Sequence, residues 1–447
     1  MRVIVVGAGV VGYHVALMTS QERHEVVVIE QAPEKIDQVR RKLDVMTVPG
    51  SGSNPTVLAE AGARDAGLVV AATDVDEVNM VTCFTAKQMG AQRTVARLRK
   101  EEYLSGVGVA AYSALGIDHV VTPEVIAAEE ITDVLSSGGA IAVEDFGAGR
   151  IRMMEYKAAD SPITGGLLAE LRFPRPCKVV AIVRPGETVI PHGSDRVRPG
   201  DHVYVVANRE HIRELEPFFG IPKGAGAPRK VTIFGGGRIG LQLAKTLERH
   251  GVGVKILEQK MDRCQYLAQE LRTAKVVCGD EHDLDLFREE AVAGCDAFVA
   301  ITARGELNIL MALLAKQMGV GRTIAVFNEP EYVPLAEKFG IDAAISPLLL
   351  SAGAILKFLM RGQVLSVALL EQQQAEAIEM VASPGCHLVG RLLRDVGFPR
   401  GATVGAILRN GKSMVPDGDA SILSGDHVVV VAVPQAVSSV EKLFAAP

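Results

Sequence analysis

The feature that most constrains this chain is that its design is written twice. The run RVIVVGAGVVGYHVA at residues 2–16 is an apolar segment, a glycine-rich turn and the start of a helical pattern, and VTIFGGGRIGLQLA at 231–244 has the same form. Gly7, Gly9 and Gly12 match Gly235, Gly237 and Gly240 at an offset of 228, and Glu30 matches Glu258 at the same offset. AKQMG at 86–90 recurs at 315–319, and PHGSDRVRPGDHVYVVA at 191–207 recurs as PDGDASILSGDHVVVVA at 416–432. A unit half the chain long is therefore duplicated, a period far beyond the 20–50 residues of solenoid repeats.

Within the first half, apolar runs of strand length (2–6, 25–29, 45–48, 68–72, 94–98, 118–121) alternate with helical patterns (10–22, 33–43, 55–62, 76–90, 101–115). This alternation predicts a doubly wound parallel sheet. Pro123 opens a further helix to about Ser136, after which the texture changes to short strands (151–157, 178–184, 203–207), Pro-Gly turns and a helix near 164–172. The reading is an α/β chain of two tandem Rossmann-type doubly wound domains, each followed by a small α+β domain. The expected boundaries are 1–137, 138–219, a Gly/Pro-rich linker at 220–228, 229–362 and 363–447. A length of 447 residues accommodates three or four domains of ordinary size. The composition, 48% hydrophobic with 4% aromatic residues, is that of Val/Ala/Ile-rich parallel sheets covered by helices.

GxGxxG alone is a weak signal, but here each copy follows an apolar strand, opens a helix and is followed by an acid ending the next strand. Gly7 permits the tight turn, Gly9 leaves room for a phosphate against the backbone, and Gly12 allows close helix–strand packing. The first helical N–H groups, at Val10 and Val11 and again at Arg238 and Ile239, lack intrahelical acceptors and favour an anion. Glu30 and Glu258 are placed to accept hydrogen bonds from ribose hydroxyls, and their charge disfavours a 2′-phosphate.

Ligands in such sheets lie at the carboxyl ends of the strands. The loops there add Gly50, Ser51, Thr73 and Asp74, and the strand VARLR adds Arg97 and Arg99, which alternation puts on one face. In the second half these arginines become Val326 and Asn328, while Gly279 and Asp280 replace Gly50 and Ser51 and Thr302 replaces Thr73. Phosphate charge compensation is expected to be weaker there, so the two sites should differ in ligand or affinity.

Several function classes are disfavoured. The formal net charge is −6 and no basic block is present, which argues against nucleic acid. The six cysteines form no CxxC or metal-ligand spacing, so no metal site is expected and the thiols read as those of a reduced, cytosolic protein. Met1 leads directly into a strand, so no signal peptide is expected, and the apolar window 343–360 is interrupted by Pro347, Ser351 and Lys357. That window nevertheless reads as a helix apolar on nearly every face, which must be covered by the other half or by a second subunit. No HExxH, GxSxG or GxxxxGK[ST] motif is present, and no acid–base constellation accompanies the cofactor turns. His202 and His427 occupy matched positions at strand starts, where a structural role is expected. The chain reads as nucleotide sites without catalytic machinery.

The layout resembles the RCK (KTN) family, and within it the tandem-unit regulatory proteins of Trk potassium uptake. The residues that carry the resemblance are VGAGVVG at 6–12, VVIE at 27–30, AATDVDEVNM at 71–80, VARLR at 95–99, FGGGRIG at 234–240, AKQMG at 315–319 and the Gly-Asp-His strand starts at 200 and 425. The resemblance implies NAD(H) and/or ATP/ADP as ligands. It implies contacts at Gly7, Gly9, Gly12, Glu30, Thr73 and Arg97, and at Gly235, Gly237, Gly240, Glu258, Asp280 and Thr302. It further implies a tetrameric ring docked on a TrkH/KtrB-type membrane potassium channel protein, with the chain cytoplasmic and reaching the membrane only through that partner. Two other readings stand beside it: a soluble NAD-dependent oxidoreductase, and a regulatory module of potassium efflux or cation–proton exchange.

Overall fold

The structure, a computed structural model, describes all residues except 22–23, 101–102, 104–111, 172, 175, 185, 222–226, 281–282, 293, 328, 330–331, 357–363, 371–373 and 446–447. The first half opens with a six-stranded parallel sheet of β1 (Arg2–Val6), β2 (Glu25–Glu30), β3 (Met46–Pro49), β4 (Leu68–Ala71), β5 (Thr94–Arg97) and β6 (His119–Val121), in the order β3-β2-β1-β4-β5-β6. Its central strands are Val/Ile runs buried on both faces, as a helix-covered parallel sheet requires. The covering helices are α1 (Val10–Gln21), α2 (Pro33–Lys42), α3 (Pro55–Glu60) and α4 (Asp76–Met89), and α5 (Pro123–Ser136) leaves the sheet after β6. Strand order reverses between β1 and β4, so a crevice forms where both strands end. Most of the expected helix at 101–115 lies outside the described residues.

An antiparallel sheet follows, with β7 (Ala142–Phe146), β8 (Ile151–Lys157), β9 (Cys177–Arg184), β10 (Glu187–Val189) and β11 (His202–Asn208) in the order β10-β9-β11-β8-β7. The sequence reading missed β7 and β10 and expected a helix near 164–172. The chain instead makes one 3₁₀ turn, Pro162–Thr164, with a Ser161/Thr164 capping box. Gly165 and Gly166 then interrupt it, each costing a helix about 1 kcal/mol, and Leu167 bridges to Arg196.

The second half repeats this plan. Its parallel sheet contains β12 (Lys230–Phe234), β13 (Gly253–Glu258), β14 (Lys275–Cys278), β15 (Ala297–Ala300), β16 (Arg322–Val326) and β17 (Ala343–Ile345), ordered β14-β13-β12-β15-β16-β17. Its helices are α6 (Arg238–Arg249), α7 (Met261–Glu270), α8 (Gly305–Gln317), α9 (Val333–Lys338) and α10 (Pro347–Leu356). The final sheet, β18 (Val364–Leu370), β19 (Ala375–Val381), β20 (Ala402–Arg409), β21 (Lys412–Met414) and β22 (His427–Ala432), is closed by α11 (Pro434–Phe444).

The two halves exchange helices. Leu348, Ala352 and Ile355 of α10 are buried in one cluster with Val3, Val5, Val11 and Val15 of the first unit. Conversely, Ala128, Ile131, Val134 and Leu135 of α5 join a cluster with Val231, Ile233, Leu243 and Leu247 of the second. The cover that α10 needs is therefore α1 of the other half, and α5 and α10 also pack on each other. α5 carries Glu124, Glu129, Glu130 and Asp133, yet most of these acids are tied down. Glu129 is open to solvent, but Asp133 pairs with Arg152 at 3.0 Å and Glu130 accepts from the Val143 N–H at 3.3 Å. Each large apolar side chain buried in the other unit contributes about 1.5–3 kcal/mol.

The two antiparallel sheets also face one another, with Phe146, Val180 and Tyr204 packed among Ala377, Ala406 and Val429. Lys178 Nζ crosses this boundary to the Thr403 hydroxyl at 3.0 Å and the Val404 carbonyl at 2.9 Å. Within the sheets His202 pairs with Glu155 at 2.5 Å and His427 with Glu379 at 3.0 Å. Both histidines thus serve strand pairing, away from the crevices. Among the described residues, no helix is long and apolar enough to cross a membrane, and no group of three or more His, Cys, Asp or Glu residues is arranged to hold a metal.

Candidate functional site: paired clefts at the glycine turns

Both glycine turns lie at the carboxyl edge of their parallel sheet. Gly7 takes φ +96°, and its N–H is held by the Ile29 carbonyl at 2.8 Å. A Cβ at Gly12 would come within 1.9 Å of the Gly7 carbonyl oxygen, so this glycine lets α1 start directly against the turn. A Cβ at Gly9 would meet nothing within 4 Å, which leaves the space over the turn open to a ligand. α1 begins at Val10, whose side chain is exposed, while that of Val11 is buried in the core, so only its backbone can serve a ligand.

The second turn repeats these facts. Gly235 has φ +113°, a Cβ at Gly240 would lie 2.2 Å from the Gly235 oxygen, and Gly237 is open. Ile239 packs into the core. Arg238 turns away toward α5 of the first unit, 3.9 Å from Glu124.

Glu30 ends β2 and is tied to the turn. Its Oε2 accepts from the Ala8 N–H at 2.6 Å, and its Oε1 accepts from Gln31 at 2.7 Å and Ala32 at 3.0 Å. Burial would raise its pKa, but the N–H groups of Ala32, Ala8 and Gln31 outweigh that and hold the carboxyl below its ordinary value. Glu258 accepts in the same way from Gly236 at 2.9 Å and Lys260 at 2.8 Å. Each acid is thus a fixed, hydrogen-bonded carboxylate beside its turn. Gly50 and Gly279 follow the third strands, each donating its N–H to the carbonyl of its acid, at 2.9 and 3.1 Å. The Ser51 hydroxyl is engaged with Ser53 at 2.8 Å.

Asn79 stands in the first turn of α4 behind Asp76 and Glu77, yet its side chain does more than start a helix. Buried in α4, it accepts from the Thr73 N–H at 2.9 Å and the Thr73 hydroxyl at 2.7 Å. It also donates to the carbonyls of Thr73 at 3.0 Å and Arg97 at 2.8 Å. One side chain therefore fixes the ends of β4 and β5 together. Asn308 does the same for Thr302 and Val326. The signal was available in the repeat, since Asn308 follows Asn79 by 229 residues, the same spacing as the two AKQMG runs.

Arg97 and Arg99 do share a face. Both approach Asp74 Oδ1, at 3.2 and 3.4 Å, and Arg99 also reaches Glu124 at 3.4 Å. Burial pushes the Arg97 guanidinium below its usual value and the neighbouring Arg99 adds to this, while Asp74 and Glu124 oppose it. Its Nε is buried without a hydrogen-bond partner. Two adjacent guanidiniums, one largely buried with an unpartnered Nε, are thus paired between them with Asp74 and Glu124.

The second cleft is a cavity of about 530 Å³ that brings together Gly235, Gly237, Glu258, Gly279, Asp280 and Thr302. Gly240 sits beneath the turn rather than on the cavity wall. In place of the missing arginines, Lys260, Arg263 and Arg304 line the cavity, none of which the sequence reading chose. Arg263 donates to the carbonyls of Gly236 at 2.6 Å and Gly237 at 3.1 Å and stacks on Tyr266. The second cleft thus carries its own cations, from α7 and the loop before α8. Asn328 lies outside the described residues. A separate cavity of about 580 Å³, reaching Leu135, Arg322 and Asp342, lies at the opposite, amino edge of this sheet.

The residues present fit an adenine dinucleotide or nucleotide. Each turn has open space over its middle glycine, a helix start for a pyrophosphate, a fixed carboxylate for the ribose and cations at the rim.

Comparison with known proteins agrees with this architecture. The TrkA-N domain matches residues 3–123 and 231–347, and the TrkA-C domain matches 153–220 and 377–445. The chain is 37% identical over 456 aligned positions to Trk system potassium uptake protein TrkA homolog 2 of Methanosarcina mazei, covering 99% of this chain and 100% of that one. It is 34% identical to Trk system potassium uptake protein TrkA of Halomonas elongata, covering 99% and 98%. Among solved structures it superimposes on the GsuK channel bound to NAD with TM-score 0.63 at 16% identity, over 100% of this chain and 79% of that one, a likeness of fold. Two glycine turns, two fixed carboxylates and a tandem TrkA-N/TrkA-C order over the whole length identify the chain as a member of the TrkA family of Trk potassium uptake proteins.

Proposed function

We propose that this protein is a non-catalytic regulatory subunit of a Trk-type potassium-uptake system, sensing the cell's nucleotides through its two clefts. The ligands are NAD(H) and/or ATP/ADP. Gly7, Gly9, Gly12 and Glu30 carry the turn and ribose contacts in the first cleft, with Thr73, Arg97 and Arg99 at its rim. Gly235, Gly237, Glu258, Asp280 and Thr302 do so in the second. The solved relative captured with NAD supports this choice of ligand class, and the potassium-uptake names of the curated relatives support the system.

The observation that carries the reading is the exchange of α5 and α10 between the nucleotide-binding units. A ligand shifts an equilibrium only by its differential affinity for the two arrangements. When each unit's core contains a helix belonging to the other, an arrangement cannot change in one unit alone. Chains assemble into a ring, commonly of four, on the cytoplasmic face of a TrkH/KtrB-type membrane channel protein. The ring summates couplings of about 1–3 kcal/mol per site.

Titration of the purified protein with NADH, NAD, ATP and ADP tests the ligand assignment. Capture of membrane proteins on the immobilised chain, with and without the nucleotide that binds, tests the partner. A hydride-transfer activity requiring either cleft would refute the regulatory reading.

A further inference from the structure

Of the six cysteines, two meet at the ribose end of the second cleft. Cys264 lies in α7 and is buried, and Cys278 ends β14 and is half-buried. Register pairs Cys278 with Glu258. The Cys264 thiol donates to the Glu258 carbonyl at 3.4 Å and the Cys278 thiol to the next carbonyl, Gln259, at 3.8 Å. Both sulfurs therefore converge on consecutive carbonyls of one short segment, Glu258–Gln259. Both remain free thiols. That segment bears the cleft's carboxylate; Glu258 and Gln259, which accept from the two thiols, and Arg263 and Gly279, their neighbours in the chain, all line the cavity. The first unit has Ile36 and Pro49 at the corresponding positions, so only the second cleft carries the pair.

We propose that Cys264 and Cys278 are a modification site, a dithiol that closes to a disulfide under peroxide-class oxidants and thereby lowers nucleotide affinity in the second cleft; the effect on affinity rests on the nucleotide reading above. Cys278 is the attacking residue because it is the more accessible. Its thiolate displaces hydroxide from hydrogen peroxide, giving a sulfenic acid, and the released hydroxide takes up the thiol proton as water. The Cys264 sulfur then attacks the Cys278 sulfur, the S–S bond forms, and the second hydroxide leaves with the Cys264 proton as another water. Two thiols are oxidised by two electrons and one peroxide is reduced to two waters. Burial and the neighbouring thiol push Cys264 up to about 12, so it is not the peroxide-reactive thiol, and it attacks the sulfenic sulfur as its proton passes to the leaving hydroxide. Closure removes both S–H···O hydrogen bonds from the Glu258–Gln259 segment and ties the start of α7 to the end of β14, displacing the carboxylate from the position it holds now. A dithiol reductant reverses the step by exchange.

The test uses the full chain carrying Gly9→Asp, so that ADP binding reports the second cleft. The protein is treated with one equivalent of hydrogen peroxide, alkylated and mapped as non-reduced peptides, and ADP is titrated before oxidation, after it, and after dithiothreitol. The expected result is a Cys264–Cys278 cross-link and at least a threefold weakening of ADP binding that dithiothreitol reverses. Cross-link and weakening should both be absent in Cys278→Ser and in Cys264→Ala. Alkylatable Cys264 and Cys278 under conditions that oxidise Cys177 or Cys295 would overturn the proposal, as would a cross-link that leaves ADP affinity unchanged. If the reduced protein takes up no ADP, the nucleotide reading of this cleft fails, and the peptide map alone decides whether the dithiol site stands.

Discussion

Ile355 is encoded in the second unit but buried in the first, which makes it a sharp probe of the exchanged helices. Its side chain is fully buried, packed in the cluster of Val3, Val5, Val11 and Val15. Truncation by Ile355→Ala removes three buried carbons and leaves a cavity in the cluster that α10 shares with β1 and α1, where α10 packs directly on α1 and α5. Such substitutions cost about 2–5 kcal/mol, and full burial places this one near 3 kcal/mol. The assay is native-state hydrogen exchange resolved by peptide, because a multidomain chain has no single unfolding free energy. At about 1.4 kcal/mol per tenfold change, amides of β1 and α1 should lose about a hundredfold in protection, while β12 and β13 change far less. Ile131→Ala in α5 is the mirror experiment, since Ile131 is buried against the second unit, and it should loosen β12 and α6. Loss of protection in β12 and β13 on Ile355→Ala, with β1 and α1 unchanged, would refute the exchange and the coupling built on it.

Three further outcomes are expected. Gly9→Asp puts a charge into open space over the first turn, so it should leave thermal stability within a degree or two and weaken nucleotide binding there by about tenfold or more, as 1–2 kcal/mol of like-charge repulsion implies; a binding isotherm and a melting curve on one sample check both halves. Arg97→Met removes a cation whose Nε is buried without a partner, while its carboxylate Asp74 is exposed and keeps Arg99; stability should change by less than about 1 kcal/mol, while affinity for ADP falls more than affinity for adenosine in paired titrations. Glu30 has a folded-state pKa below its unfolded value of about 4.5, so the stability it contributes is fully present above that pH and is lost as pH falls through the folded value; Glu30→Gln should flatten denaturant midpoints measured between pH 3 and 7, and an unchanged acid limb would contradict the assignment.

Much of the site was legible in the sequence because glycine leaves a chemical trace. Gly7 and Gly12 are demanded by a left-handed turn and by a close backbone approach, and no other residue satisfies both. The duplication doubled that signal. Asn79 was not legible because it sits among Asp74, Asp76 and Glu77, where a helix start explains any polar residue, and its hydrogen bonds run to strand ends that only the fold brings near. Arg263 was missed for a related reason: on an exposed helix face an arginine has no distinguishing neighbour until the turn is folded against it. The helix expected near 164–172 failed where Gly165 and Gly166 outweighed the apolar spacing of Leu167, Leu168 and Leu171. α10 was legible as a helix in need of a cover, but which surface supplied it depended on its packing against α1, far away in the sequence.

The fusion of two helix-swapping units into one polypeptide has an evolutionary corollary. Were the units separate copies of one gene product, any change in a cleft would appear in both halves of the pair at once. Joined end to end, the halves keep the mutual embrace yet inherit independently. One cleft could keep its paired guanidiniums at Arg97 and Arg99 while the other recruited Arg263 and acquired two adjacent thiols. Covalent linkage thus converts a symmetric duet into two instruments that can be tuned apart without ever losing the partner each requires to fold.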